Sequence, residues 1–361
     1  MIQEVSSLNF VSARECAGLW DISQRRVAAL CSENRIPGAM MVGNMWIIPE
    51  NAEKPIDARC NTGNSSKCPR PFLKWAGGKG QLVPEIKKYY PFEEGKITKY
   101  AEPFVGGGAV LFDVLSRYEL EAVYISDTNK ELINTYRVIR SDVEELIERL
   151  SIMQEEYLPK EVEERKKYYI DCRSRYNRMG EQKLECDAVE KAALMIFLNR
   201  TCFNGLYRVN RRGLFNVPIG SYKNPLICDD ENLNMVSKHI QNVNIVCGDY
   251  QKSRAFIDVK TFVYFDPPYR PLPNTASFTA YTEGGFDDEE QIRLANYVLE
   301  LNKLGAKVLV SNSDPKNTDD NDDFFERIYS GVSIYRVQAN RMINSKAISR
   351  GKISELLIAN V

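Results

Sequence analysis

Short apolar runs separated by turn residues recur through residues 98–361, and their spacing sets out most of the architecture. Seven of them, near 98–103, 122–126, 244–248, 261–265, 306–311, 332–338 and 354–359, are rich in β-branched and aromatic residues and have strand length. Segments with helical spacing fall between the earlier runs, at 80–90, 108–117 and 129–139, with another at 288–304. Strands alternating with helices predict an α/β domain with a mostly parallel sheet covered on both faces. No helical pattern separates the last two runs, so antiparallel edge strands are expected there. Between 141 and 240 the alternation gives way to a mainly helical insert rich in Glu, Lys, Arg and Tyr, large enough to form a separate lobe. The chain carries no internal repeat.

Residues 1–54 have a different pattern. Ser12-Ala13-Arg14-Glu15 is a capping box opening a short helix. Leu19-Trp20-Asp21-Ile22 reads as a tight turn, and Ser23 caps a second helix through Ser32 that shows Val27 and Leu30 on one face. Gly38 and Gly43 flank short strands that end in Trp46-Ile47-Ile48-Pro49. Two helices followed by a β wing predict a winged helix–turn–helix, with Gln24, Arg25 and Arg26 opening the helix that meets base edges. A packing or dimerisation appendage is the plainer alternative. Residues 55–70 are polar, with Gly and Pro, and read as a flexible linker. The expected division is therefore 1–54 as a DNA-binding module, 55–70 as linker, 71–140 with 241–361 as the catalytic domain, and 141–240 as a recognition domain.

Composition narrows the function classes. Nine cysteines are scattered singly, and the lone histidine, His239, falls on a predicted helix over 232–240. Neither a disulfide framework nor a zinc site is expected, and histidine acid–base chemistry is excluded as the main device. No apolar run approaches a membrane span, and the first residues lack a signal pattern, so a cytoplasmic protein is expected. The net charge of −1 announces no nucleic acid, but its distribution does. Arg200, Arg208, Arg211, Arg212 and Lys223 occur without an acid among them, as do Arg336, Arg341, Lys346, Arg350 and Lys352. Acids gather instead in 283–290 and 319–323. Two basic stretches on a balanced protein fit a local phosphate footprint, with solvated loops as the bland alternative.

The chemistry concentrates in Asp266-Pro267-Pro268-Tyr269, which closes the apolar run 261–265. Open α/β sheets place ligands at the carboxyl ends of their strands, where these residues must lie. The Asp266 carboxylate and the Pro267 carbonyl can each accept one N–H of an exocyclic amino group, and Tyr269 offers a face for a base. By itself the cluster is equally a strand followed by a Pro-Pro turn.

Three further strand ends point to a cofactor. Glu102-Pro103-Phe104-Val105-Gly106-Gly107-Gly108 is a strand running into a glycine turn and then a helix. It lacks the Gly-x-Gly-x-x-Gly of a dinucleotide cradle, since Leu111 stands three residues after Gly108. Asp127 ends the next strand roughly 20 residues on, where an acid meets ribose hydroxyls. Asp249 ends another and can accept from an adenine amino group. A glycine turn with a distal acid and no pyrophosphate cradle implies an adenosine-bearing cofactor, with S-adenosylmethionine the better fit than a nicotinamide. Upstream, Trp75 can cover such a cofactor and Lys79 can neutralise its carboxylate.

Phe72–Lys79, Glu102–Gly108, Asp127 with Asn129, Asn199–Gly220 and Asp266–Tyr269, in that order, resemble the Dam-like, alpha-ordered adenine-N6 DNA methyltransferases over residues 70–361. The resemblance implies a Rossmann-like S-adenosylmethionine-dependent sheet with a helical target-recognition insert, acting on an adenine flipped out of double-stranded DNA. It implies that Trp75, Lys79, Asp127 and Asp266 line the cofactor site, joining Glu102, Phe104, Gly106, Gly108 and Asp249 from the strand ends. It implies Asp266, Pro267, Pro268 and Tyr269 as the catalytic residues. Residues 199–220 are similar to the recognition hairpin of enzymes that read GATC. By that likeness Lys74 and Arg208 contact bases, Leu206 and Pro218 complete the readout, and Phe203 and Asn204 fill the space left by the adenine. The N-terminal unit resembles MerR-like and excisionase-type modules, and the simplest family members lack it. No metal is called for. A cognate restriction nuclease is a partner this reading allows, and a monomer is the expected state.

Two rival readings stay open at this level. One is an amino-methyltransferase acting on RNA or on protein. The other is a DNA-binding regulator whose large domain senses a ligand.

Overall fold

The computed structural model describes residues 10–20, 24–32, 35–43, 45–50, 52, 68–181, 187–270, 286–340 and 352–361. The chain divides into two compact units, Met1–Ser66 and Lys67–Val361.

In the first unit β1 (Phe10–Ser12) runs into α1 (Ala13–Trp20), followed by α2 (Gln24–Ser32), β2 (Met40–Val42) and β3 (Met45–Pro49). The capping box forms as its residues require: the Ser12 N–H donates to Glu15 Oε2 at 2.8 Å and the Glu15 N–H to Ser12 Oγ at 3.3 Å. Cys16, Val27, Leu30, Cys31, Ile36 and Ile48 make a small buried core. One strand was not foreseen: β1 pairs antiparallel with β3, so the wing has three strands in the order β1-β3-β2. The Ser23 cap, the Asp21-Ile22 part of the turn and most of the 55–70 linker lie outside the described residues.

The second unit opens with α3 (Val83–Ile86) and a 3-10 turn over Lys87–Tyr89, which replace the longer helix expected over 80–90. Pro84 suits the first helical turn, and Pro91 follows at its end. Then come β4 (Lys99–Glu102), α4 (Ala109–Leu115), β5 (Ala122–Asp127), α5 (Lys130–Ser141), α6 (Val143–Tyr157), α7 (Val162–Glu181), α8 (Ala188–Thr201), α9 (Asp230–His239), β6 (Val243–Cys247), β7 (Thr261–Phe265), α10 (Asp288–Leu304), β8 (Lys307–Ser313), α11 (Phe324–Ile328), β9 (Ser333–Asn340) and β10 (Lys352–Ala359).

These strands form one sheet of order β6-β5-β4-β7-β8-β10-β9. It is parallel from β6 to β8 and antiparallel across β8-β10-β9, so the run without helices forms the edge hairpin. β7 is buried along its whole length and alternates between two cores. Phe262 and Tyr264 face a core shared with α5, α6 and α8, while Val263 and Phe265 face one built on α10. Burial on both faces explains why the strand reads as a continuous apolar run. Each large side chain contributes roughly 1.5–3 kcal/mol by leaving water. The helices of residues 141–240 share the first core with the sheet. From β4 the chain steps outward to β5 and β6, then returns to β7 on the other side of β4. Neighbouring strands that lead in opposite directions leave a crevice at their carboxyl ends, which here lies between Glu102 and Asp266.

Candidate active site

Asp266 follows β7 directly. Its Oδ1 receives the Lys79 ammonium at 2.6 Å and the Ser311 hydroxyl at 3.0 Å. Among the described residues no donor meets its Oδ2 or the Pro267 carbonyl, so two acceptors stand open side by side in the chain. Burial pushes the Asp266 carboxyl up from its ordinary range, and Lys79 and Ser311 pull it partly back. Tyr269 is half-buried and donates its hydroxyl to Glu355 Oε2 at 2.8 Å. The Lys79 ammonium also lies 4.5 Å from the centre of the Tyr269 ring and donates to the Gly77 carbonyl at 2.6 Å. Lys79 is only 7% exposed, so its charge is committed to this cluster.

The tips of β4 and β5 form the adjoining wall. Glu102 is buried and accepts the Tyr100 hydroxyl at 2.7 Å. Burial drives its carboxyl well above the usual carboxylate range, against the pull of that hydroxyl and with Asp266 pushing in the same direction as burial. Gly106 (φ 48°) and Gly108 (φ 75°) take left-handed backbone, and a Cβ there would lie 2.9 Å from Trp75 Cδ1 and 2.5 Å from Tyr136 Oη respectively. Trp75 thus lies against the glycine turn. Asp127 Oδ2 accepts the Gly106 N–H at 3.2 Å and its Oδ1 the Asn129 N–H at 2.9 Å. Burial raises the Asp127 carboxyl to about 6, opposed by these N–H groups. Phe104 packs on Tyr250, ring centres 5.4 Å apart, beside Asp249. Asp249 caps its own turn and pairs with Arg293 at 2.7 Å. Glycine turn, acid and indole thus come together at the carboxyl ends of β4 and β5.

Lys74 and the 199–220 segment meet on a third side. Asn199 is buried and clasps both: its Oδ1 accepts the Lys74 N–H at 2.9 Å, and its Nδ2 donates to the carbonyls of Lys74 and Gly205, each at 2.9 Å. Beyond it the chain forms a hairpin, with Cys202 opposite Ile219 and Val209 opposite Phe215. The Phe203 N–H donates to the Pro218 carbonyl at 2.8 Å, and Asn204 takes a left-handed φ of 56°. Phe203, at 52% exposed, stands clear of the core. Asn177 pins the return strand through the N–H and carbonyl of Phe215. Leu206 is half-buried and the exposed Lys74 ammonium reaches the Tyr222 hydroxyl at 3.3 Å. Arg208 is exposed and donates to Asn216 Oδ1 at 2.8 Å, with Arg211 and Arg212 at the hairpin tip. Tyr207 stacks on Trp75, with ring centres 5.3 Å apart.

The basic stretches divide once they are seen in place. Arg200 turns inward to the Phe72 carbonyl at 2.9 Å, and Arg336 pairs with the buried Asp314 at 3.0 Å and with Glu326. Both are structural, which removes them from the phosphate footprint. Arg341, Lys346 and Arg350 lie outside the described residues. The acid-rich segments are partly explained as well: Asp288 and Asp322 hold Arg270, at 2.7 and 2.6 Å. Sequence reading missed Ser311, Asn312, Glu355 and Gln291, all of which support the Asp266 loop. One signal was available. Gln291 shares a helical face with Leu294, Ala295 and Val298, a position where an apolar residue is the norm.

Among the described residues no group of three or more His, Cys, Asp or Glu side chains is placed to hold a metal, and no helix is long and apolar enough to cross a membrane.

Comparison with known proteins agrees in kind. Residues 75–343 match the family described as D12 class N6 adenine-specific DNA methyltransferase. The chain is 51% identical over 294 residues to the type II methyltransferase M.MjaIII of Methanocaldococcus jannaschii, covering 81% of this chain and 99% of that protein. It is 36% identical over 290 residues to a DNA adenine methylase of Escherichia coli, covering 80% and 94%. A DNA adenine methylase of Vibrio cholerae is 34% identical over 289 residues, covering 80% and 95%.

Proposed function

We infer the course of the reaction from one premise: the chain belongs to the D12 class N6 adenine-specific DNA methyltransferases, and is an adenine-specific DNA methyltransferase. We propose S-adenosylmethionine as the methyl donor, an adenine flipped from duplex DNA as the acceptor, and GATC as the site. The carrying observation is the half-used Asp266 carboxylate, with one oxygen held by Lys79 and Ser311 and the other open beside the open Pro267 carbonyl.

The cofactor, when bound, supplies an electrophilic methyl group on a sulfonium. Asp127 would accept from its ribose hydroxyls, Gly106 and Gly108 would let it approach the backbone, and Trp75 and Phe104 would cover it. Asp249 would accept from its adenine amino group. Glu102 and Lys79 complete the wall between cofactor and target.

The target amine is a poor nucleophile because its lone pair is delocalised into the purine. Asp266 Oδ2 and the Pro267 carbonyl each take one N–H, which draws the lone pair onto nitrogen as the transition state develops. Lys79 offsets part of the burial penalty on the charged Asp266 carboxylate. Tyr269, anchored through Glu355, presents its ring to the flipped base. Flipping costs a few kcal/mol, and stacking returns about 1–3 kcal/mol. The hairpin supplies the remainder: Phe203 and Asn204 fill the gap, Lys74 and Arg208 meet base edges with Leu206 and Pro218 completing the readout, and Arg211 and Arg212 reach phosphates. The likeness of residues 199–220 to hairpins that read GATC supports the proposed site.

For the first unit we propose DNA binding as a winged helix–turn–helix. The order of α1, α2 and the β2–β3 wing supports it, as does the place of Gln24, Arg25 and Arg26 in the first turn of α2.

Incubation with radiolabelled S-adenosylmethionine and unmethylated plasmid tests the central reading. Label should appear as N6-methyladenine, and the plasmid should become resistant to a nuclease blocked by GATC methylation. Methylation elsewhere would remove the GATC assignment alone. Label confined to RNA or protein would remove the reading altogether.

A further inference from the structure

We propose that Gln291 and Asn312 are positioning residues that hold the loop after Asp266 so that the Pro267 carbonyl stays open and aimed. The proposal rests on Asp266 and Pro267 being the acceptor pair for the target amine.

Two consecutive prolines remove the N–H donors at positions 267 and 268, which leaves that stretch of the loop little means to brace itself by its own backbone. Its bracing comes from β8 and α10. Gln291 Nε2 donates to the Pro268 carbonyl at 3.0 Å. Gln291 Oε1 accepts from Asn312 Nδ2 at 3.0 Å. Asn312 Oδ1 in turn accepts the Arg270 N–H at 3.1 Å, and Ser313 Oγ donates to the Arg270 carbonyl at 2.9 Å. The relay runs from a loop carbonyl through two amides back to a loop N–H. It fixes the orientation of both amides, since flipping Gln291 would set oxygen against oxygen at Pro268.

Both side chains are 0% exposed. A buried amide is costly unless paired, and an apolar residue at the position of Gln291 would cost nothing of that kind. The pair engages the carbonyl on one side of Tyr269 and the N–H on the other, and leaves Pro267 alone. Arg270, the residue so held, is also fastened to Asp288 and Asp322. The consequence is a rigid frame around one free carbonyl, and a misplacement of about 1 Å at such a point costs roughly 100-fold in rate.

Gln291→Glu tests this with almost no change in shape. The introduced carboxylate faces the Pro268 carbonyl and repels it. Single-turnover methyl transfer to duplex DNA should fall about 10- to 100-fold. Duplex affinity and the fluorescence rise of 2-aminopurine at the target position should stay near those of the parent, while thermal unfolding falls at high pH because the buried charge is costly. The ratio of variant to parent rate should recover as pH falls through the titration of the new carboxyl, because the protonated acid can donate to Pro268 again. A merely structural role would instead lower duplex affinity and the 2-aminopurine rise together with the rate, and all three would recover together. A variant rate within threefold of an active parent overturns the clamp and leaves the acceptor pair standing, whereas a parent that methylates no adenine removes both. Should the variant not fold, the parent bound to duplex and a cofactor analogue decides: Gln291 must still hold Pro268 while the Pro267 carbonyl meets N6, and separation of the two refutes the proposal.

Discussion

The loop 266–270 and the hairpin 202–220 flank the same crevice and are built in opposite ways. The loop is short: Lys79, Ser311 and Glu355 engage its side chains, Gln291 the Pro268 carbonyl and Asn312 the Arg270 N–H, while among the described residues Asp266 Oδ2 and the Pro267 carbonyl meet no donor. The hairpin is pinned at its base by Asn199 and Asn177, while its outer residues, Phe203, Arg208, Arg211 and Arg212, stand exposed. Chemistry needs groups held in place before the substrate arrives, because their reorganisation would be counted in the barrier. Reading a duplex needs side chains that adapt to the grooves and part with water on contact.

The hardest test of the contrast is removal of the open acceptor. Asp266→Ala should lower methyl transfer about 10³-fold, judged against the 10²–10³-fold loss of a single charge-stabilising donor in other active sites. Duplex binding by gel shift should persist, and substantial turnover would take Asp266 out of the chemistry. On the hairpin side, Arg208→Ala should relax choice at one base pair by about 1–3 kcal/mol, measured on a panel of single-substituted sites. A uniform loss over all sites would make Arg208 a phosphate contact and blur the contrast. A smaller effect concerns Asp127, whose carboxyl titrates at about 6. Ribose hydroxyls donate best to the ionised form, so cofactor KM should rise several-fold as pH falls through that value, since a tenfold change is about 1.4 kcal/mol. Asp127→Asn should weaken binding at pH 8 and flatten this dependence; an unchanged pH response would point to another group. Least of all should follow from deleting residues 1–66. Methyl transfer should continue at a similar rate, with lower duplex affinity and a shallower salt dependence. Loss of folding would show that the first unit is integral to the second.

What could be read from the chain follows the same division. The strand 261–265 and the helix 288–304 appear with the expected bounds because each is marked by a strong apolar pattern with clear stops. The helix over 80–90 shrank to about two turns, as the chain before it is spent on placing Lys79 against Asp266. Glycine turn, distal acid and Pro-Pro loop were legible because each is a local cluster. Ser311, Asn312 and Glu355 were not, since they lie 45, 46 and 89 residues beyond Asp266 and reach it only through sheet pairing. Arg200 was misjudged for the same reason, since the Phe72 carbonyl lies 128 residues away, whereas Arg336 turns back to Asp314 and Glu326, just ahead of the basic stretch.

One small amide has a consequence for engineering. Asn199 ties Lys74, one position ahead of the indole over the glycine turn, to the root of the hairpin at Gly205. A graft that exchanges only the tip, residues 208–214, keeps that knot and the Asn177 clasp on Phe215, and should yield enzymes with altered taste and intact turnover. A cut made inside it would uncouple the reader from the wall of the reaction chamber.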